Sequence, residues 1–300
     1  MSKERVGFVG VGLMGHGMAK NIVTKGFPLT VIAHRNRAPV DDLVACGASE
    51  AATLGELARS SDIVVLCVTG SPEVEATVAG LAGTGRPLVI IDCSTSDPSS
   101  TVRLATHYAT QSITLVDAPL SRTPADAEAG TLDVMAAGDD DIYERIRPVI
   151  ETFAGRIVRT GPVGSGHTMK LINNFVAMGY ASLYSEALAL GAKAGIAPAV
   201  FDAVIRGGRM DSPFYQTFSK WVLERDRNAH RFAIRNALKD MTYLAGFANS
   251  AGIANPLGAA VRNGFALAVA QGRGDDYVPM LSDVVADLNG VSLEPAQGGA

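Results

Sequence analysis

The sequence predicts an α/β chain in two parts. A doubly wound, mostly parallel sheet fills residues 1–163 and an all-α domain fills residues 164–300, the two joined through one long interdomain helix. Three observations predict this. A glycine-rich turn, Gly10-Val-Gly-Leu-Met-Gly15, separates the first strand-like run from the first helix-like run. Short apolar runs then alternate with helical stretches as far as Arg159. Beyond Lys193 only helical periodicity remains, broken at Gly195, Gly207-Gly208, Gly252, Asn255-Pro256 and Gly272–Gly274.

Bulk properties narrow the function classes. With 300 residues, 47% of them apolar, the chain can bury one large core or two ordinary ones. A net charge of −4 and the lack of any basic tract argue against a nucleic-acid partner. Met-Ser-Lys-Glu-Arg-Val runs straight into a strand without an apolar leader, and apolar runs such as Ile63–Val68 fall far short of a membrane span. Cys46, Cys67 and Cys93 show neither Cys-x-x-Cys nor metal-ligand spacing. The expectation is a cytoplasmic protein with reduced thiols, no membrane partner and no bound metal.

Val6–Val9 reads as the first strand, and the glycine motif follows it at once. Gly10 permits the tight turn, Gly12 lets a pyrophosphate approach the backbone, and Gly15 lets helix and strand pack closely. Phosphate would rest on the free N–H groups of the helix start, with Val11, Leu13 and Met14 completing the loop. This is a Rossmann-type dinucleotide fingerprint. The second strand, Leu29–Ala33, ends at His34-Arg35-Asn36-Arg37, where an NAD-preferring site usually carries an acid. A guanidinium can grip a 2′-phosphate that a carboxylate would repel, so NADP(H) is favoured. If Arg35 and Arg37 are merely solvated loop charges, NAD(H) serves as well.

Ile63–Val68 suits a strand buried on both faces, ending in a loop at Val68-Thr69 beside the expected cofactor crevice. Leu88–Ile91 is another strand, followed by Asp92-Cys-Ser-Thr-Ser-Asp-Pro98. Thr95 is there either a nicotinamide-side contact or a turn hydroxyl bonded to its own backbone. Thr114–Asp117, Leu132–Ala136 and Arg156–Arg159 read as later strands, with Asp139–Phe153 helical.

Gly161, Gly164 and Gly166 lead into the long helix, with Ser165 placed to cap its first turn. Apolar residues continue to about Lys193, a helix of roughly 40 Å. Lys170, Asn173 and Asn174 share one face, which is either an exposed edge or a site. Ala197–Arg206, Ser212–Arg225, Phe232–Ala251, Pro256–Ala270 and Tyr277–Leu288 read as further helices. Ile234, Leu238, Met241, Ala245 and Ala248 form a buried stripe, off which Lys239 reads as a surface lysine. The tail after Gly290 reads as mobile.

With these motifs in this order, the chain resembles the β-hydroxyacid dehydrogenase family, which includes 3-hydroxyisobutyrate dehydrogenases and tartronate semialdehyde reductases. The resemblance runs from about Val6 to Leu288. It rests on Gly10–Gly15, Asp92–Pro98, Asp117-Ala-Pro-Leu-Ser-Arg-Thr with Gly130-Thr-Leu, Gly161–Asn174 and the pair Lys239-Asp240. It implies reversible hydride transfer between nicotinamide and a small anionic 3-hydroxy acid or its semialdehyde. Lys170 matches the family's catalytic lysine, able to take a proton if burial and neighbours such as Lys239 lower its pKa. Asn174 matches the amide that positions substrate, and Thr95 the cofactor-side threonine. Val68 and Thr69 match the cofactor-contacting loop. Lys239 matches a lysine that folds over cofactor and substrate, which overturns its surface reading. A homodimer or homotetramer is also implied.

One departure concerns the loop that anchors the substrate's acid group. Many relatives read Ser-Gly-Gly there, whereas this chain has Ser121-Arg122-Thr123, similar to the Arg-Thr pair of sulfolactaldehyde reductases. Either the substrate is bulkier or more anionic, or Arg122 pairs with a protein acid such as Asp126. An imine reductase and a non-catalytic nucleotide-binding protein are the alternative readings.

Overall fold

Apolar runs too short for helices become strands in the computed structural model, which describes residues 3–294. One unit reaches to Lys170 and a second begins at Leu171. In chain order the first holds β1 (Val6–Val9), α1 (Gly15–Thr24), β2 (Leu29–Ile32), α2 (Ala38–Ala45), β3 (Ser49–Ala51) and α3 (Leu54–Ser60). It continues with β4 (Ile63–Leu66), α4 (Ser71–Leu81), β5 (Leu88–Asp92), α5 (Pro98–Ala109), β6 (Ile113–Asp117), β7 (Leu120–Ser121) and α6 (Pro124–Ala129). Then come β8 (Leu132–Ala137), α7 (Asp140–Ile150), β9 (Ala154–Gly161) and the start of α8 (Ser165–Lys193).

The sheet order is β3-β2-β1-β4-β5-β6, parallel throughout. Successive side chains on a strand face opposite sides, so a strand covered on both faces must be apolar at every position. Strand β4 shows this: Ile63 and Val65 join the core beneath α1 and α2, while Val64 and Leu66 join the core beneath α3, α4 and α5. The strand order reverses direction between β1 and β4. Loops on either side of such a reversal diverge and leave a crevice at the carboxyl ends.

The last strands do not extend this sheet. Strands β7, β8 and β9 form a separate three-stranded sheet, with β7 antiparallel to β8 and β8 parallel to β9. Pro119 explains the break, because it has no N–H with which to continue a ladder beyond β6. Its carbonyl instead accepts the Met135 N–H at 3.0 Å.

Helix α8 is 29 residues, or about 44 Å, long and crosses from one unit into the other. The second unit adds α9 (Pro198–Ile205), α10 (Pro213–Glu224), α11 (Ile234–Ser250), α12 (Pro256–Ala270), a 3-10 turn (Val278–Met280) and α13 (Leu281–Leu288). Proline opens α9, α10 and α12, where its missing N–H costs nothing. Ser212 and Asn255 cap the latter two by accepting from Tyr215 N–H and Gly258 N–H. The single helix expected over Tyr277–Leu288 is split by the 3-10 turn around Pro279. The unit's core gathers Leu171, Met178, Phe218, Met241, Phe265 and Val284. From residue 295 the tail lies outside the described residues.

His230, edge-on to Phe214 at 5.4 Å, carries a pH prediction. Burial pushes its pKa down from 6.5 to about 4. The folded chain keeps this imidazole neutral at pH values where the unfolded chain protonates it. Stability is therefore full above pH 6.5 and falls as pH drops to about 4, by up to about 3 kcal/mol. Denaturant melts at the two ends of that window check this, and His230→Phe flattens the slope.

Candidate active site

The glycine turn is built for a close neighbour. Gly10 has φ +100°, and a Cβ there would collide with the Cys67 carbonyl oxygen. A Cβ on Gly15 would strike the Gly10 carbonyl, so helix and strand could not meet as they do. A Cβ on Gly12 would project into open space, with nothing within 4 Å. Helix α1 begins there without a side-chain cap and without an acid in its first turn. Open space above a glycine, beside a helix start that offers N–H groups and positive dipole, fits a pyrophosphate.

The loops after β1, β2, β4 and β5 lie at the carboxyl ends of adjacent strands. They carry Gly10–Gly15, His34-Arg35-Asn36, Val68-Thr69 and Thr95 respectively. His34, Arg35 and Asn36 are exposed. Arg37 is committed elsewhere, with two bonds to Glu50 at 2.9 and 2.7 Å and an ion pair to Asp41 at 3.0 Å. Of the two arginines expected to compete for a 2′-phosphate, Arg35 is the one outside this cluster.

Asp92, fully buried, shapes the Thr95 loop. Its Oδ1 accepts the Ser94 N–H at 2.9 Å, its Oδ2 accepts the Ser96 hydroxyl at 3.1 Å, and Ser94 Oγ accepts the Val68 N–H at 3.0 Å. Thr95 is thus the half-buried residue between two buried serines. The start of α8 is held similarly, but by a distant residue. Asp117, at the end of β6, accepts the N–H groups of Gly164 and His167, each at 2.7 Å. Ser165, expected to be the cap, instead has its hydroxyl 2.9 Å from that of Thr160. Only glycine fits at position 166, where a Cβ would lie 2.6 Å from the Met135 carbonyl oxygen and 2.8 Å from Asp117 Oδ2. Lys170 follows His167 by one turn and is half-buried.

In the loop Ser121-Arg122-Thr123, Ser121 is the last residue of β7 and pairs with Asp133 in the ladder. Arg122 has φ +85°, a left-handed conformation that costs a non-glycine residue about 1 kcal/mol or more. Its Nε lies 3.0 Å from Asp133 Oδ2, with Asp126 further off at 3.8 Å. The protein acid beside Arg122 is therefore chiefly Asp133, where the sequence suggested Asp126. Asp126 instead forms a capping box with Thr123 at the start of α6, and the Thr123 hydroxyl holds its carboxyl below the usual range.

In the second unit, Asn174 is buried and donates its Nδ2 to Asp240 Oδ2 at 2.6 Å. Lys239 Nζ lies 2.9 Å from Asp240 Oδ1 and 4.9 Å above the Tyr243 ring. Its side chain is only 20% exposed, so the surface reading from periodicity alone does not hold. Asp240 links the two expected residues, and sequence reasoning gave it no role. One signal was present: a carboxylate on the buried side of a helix, beside Met241. Among the described residues, no group of three or more His, Cys, Asp or Glu side chains could hold a metal ion, and no helix is long and apolar enough to cross a membrane.

The chain is similar to known proteins along most of its length. Residues 5–161 match the family described as the NAD binding domain of 6-phosphogluconate dehydrogenase. Residues 164–282 match that described as NAD-binding of NADP-dependent 3-hydroxyisobutyrate dehydrogenase. The 2-(hydroxymethyl)glutarate dehydrogenase of Eubacterium barkeri is 30% identical over 98% of each chain. The chain belongs to the β-hydroxyacid dehydrogenase family. A 3-hydroxyisobutyrate dehydrogenase of Pseudomonas aeruginosa is 32% identical, covering 87% of this chain and 91% of its own. The crystal structure of 3-hydroxyisobutyrate dehydrogenase from Salmonella typhimurium superposes with a TM-score of 0.84 at 27% identity, over 94% of this chain and all of the other. As a β-hydroxyacid dehydrogenase, the chain is an oxidoreductase with an NAD(P)-binding domain.

Proposed function

We propose that this chain transfers a hydride reversibly between nicotinamide and the carbinol carbon of a small 3-hydroxy acid, with Lys170 carrying the proton. The observation behind this is the half-buried lysine one turn into a helix whose first N–H groups are pinned by Asp117. That carboxylate stands at the end of β6, in the same row of strand ends as the dinucleotide loop. When bound, the nicotinamide takes up or gives back the hydride. Lys170 takes the hydroxyl proton in oxidation and returns it to the carbonyl oxygen in reduction. Asn174, its amide oriented by Asp240, steadies that oxygen, and Lys239 works from the same cluster. Ser121, Arg122 and Thr123 receive the acid group and set its distance from the cofactor. Val68, Thr69 and Thr95 line the cofactor side. Exposed Leu183, Leu190, Val200 and Val204 support self-association through the helical unit.

Arg122 favours a second substrate reading, a more anionic acid such as a sulfonate. An arginine held at positive φ, on a pair to Asp133 that solvent weakens, can turn to an incoming anion at small cost. The test is a panel of 3-hydroxy acids, semialdehydes and sulfonated analogues with NADH and NADPH, on wild type and Arg122→Gly. Loss confined to sulfonated compounds in Arg122→Gly supports the second reading. No turnover of any compound, with NADPH still bound, contradicts the proposed reaction.

Cofactor choice falls to Arg35, with His34 and Asn36 beside it, in favour of NADP(H). Losing one charge-assisted phosphate contact costs about 1.5–3 kcal/mol, so Arg35→Ala raises KM for NADPH by about tenfold or more and spares NADH. Arg37→Ala leaves both KM values near wild type. Equal effects of Arg35→Ala on the two cofactors contradict the assignment.

A further inference from the structure

We infer that His167 is a positioning residue, tying the end of β5, with its Thr95 loop, to the first turn of α8, with Lys170. The inference rests on the reading of Lys170 as proton carrier and Thr95 as cofactor contact. His167 is 0% exposed. Its backbone N–H is already held by Asp117, which fixes the residue's place in the helix. The ring then reaches two further elements.

Nδ1 lies 2.8 Å from Thr101 Oγ1 on α5. The Thr101 hydroxyl also lies 3.2 Å from the Asp97 carbonyl, and whether it donates to Nδ1 or accepts from it follows the tautomer of the ring. On the other side, Nε2 faces Asp92 Oδ2 at 3.7 Å and has no hydrogen-bond partner among the described residues. Asp117 Oδ2 lies 3.8 Å from Nδ1. The Asp92 carboxylate that Nε2 faces is the group that holds Ser94 and Ser96 on either side of Thr95. One imidazole thus stands between the two carboxylates that shape the Thr95 loop and the start of the lysine-bearing helix.

Stability alone does not call for this residue. A buried polar ring with an unpaired nitrogen is disfavoured relative to an apolar side chain that fills the same space. Geometry is what the imidazole supplies: a rigid spacer, hydrogen-bonded to Thr101 on one edge and set against the Asp92 carboxylate on the other. Three residues further along the same helix, the Lys170 amine must meet a reacting oxygen within hydrogen-bond reach. A shift of about 1 Å at such a group can lower turnover by about a hundredfold.

The experiment compares His167→Leu, His167→Gln, Thr101→Val and Lys170→Ala with wild type on a hydroxy acid that wild type turns over. It reads kcat, KM, NADPH affinity and melting midpoint. His167→Leu is expected to lower kcat about tenfold or more, with NADPH affinity within about twofold and a melting midpoint no lower than wild type. His167→Gln, whose amide reaches toward Asp92, recovers most of kcat. A kcat in His167→Leu within about twofold of wild type, with Lys170→Ala inactive, overturns the positioning role alone. Near-normal turnover in Lys170→Ala overturns the proton-carrier reading and the inference with it. Should His167→Leu fail to fold, Thr101→Val decides: reduced kcat at unchanged NADPH affinity supports the role, and unchanged kcat overturns it.

Discussion

Alanine in place of Lys170 lowers kcat by at least about two orders of magnitude, while NADPH still binds. The two effects separate because the glycine turn, the β2 end and the Thr95 loop remain intact in that variant. Lys170→Arg sharpens the test. Arginine keeps the positive charge but stays protonated at any pH used for assay, so it cannot accept the substrate's proton. If Lys170 served only as a fixed charge, arginine would preserve much of the rate. The proton-carrier account expects both variants to fail in oxidation. Near-normal turnover in either contradicts it, and steady-state kinetics with titrated NADPH binding provides the measurement.

Asp117→Ala destabilises the first unit by about 3 kcal/mol or more. The substitution leaves two buried N–H groups, on Gly164 and His167, without their acceptor. For a unit of this size such a loss lowers the melting midpoint by roughly 10 °C. Asp117→Asn fares little better, because its NH₂ group would face an N–H donor at one of the two positions. Calorimetry of the three proteins checks this. A midpoint within about 2 °C of wild type for Asp117→Ala means that another group caps α8.

Sequence reasoning succeeds where the signal is local. The turn Gly10–Gly15 announces its own geometry, since Gly10 and Gly15 meet constraints within a few residues or on the neighbouring strand, while Gly12 leaves the space above the turn open. Strand β4 declares burial on both faces by being apolar at every position. Helix α8 declares its length through unbroken helical character to Lys193. What stays illegible depends on partners far along the chain. Asp117 ends an apolar strand, and nothing near it says that it caps a helix 47 residues later. Arg37 looks as available as Arg35 until Glu50 is seen beside it. Asp240 and Asn174 are 66 residues apart, yet share a 2.6 Å bond. The separate sheet of β7, β8 and β9 is hidden for a related reason: Pro119 marks the break, but pairing of β8 with β9 is set by contacts that periodicity does not encode.

Periodicity read Lys239 as a surface residue, whereas the resemblance assigned it to the site; its side chain is 20% exposed and paired with Asp240. The resemblance could not say what Arg122 does, because that position departs from the Ser-Gly-Gly pattern. The structure adds two physical facts there, the positive φ and the pair to Asp133.

The proposed reaction requires direct transfer of hydride from the carbinol carbon to the cofactor. A 3-hydroxy acid deuterated at its carbinol carbon, oxidised by the wild-type protein with NADP+, tests it through mass spectrometry of the reduced cofactor. Direct transfer leaves one deuterium on the nicotinamide ring and runs more slowly than with the unlabelled acid. Unlabelled reduced cofactor, with the deuterium lost to solvent, contradicts it.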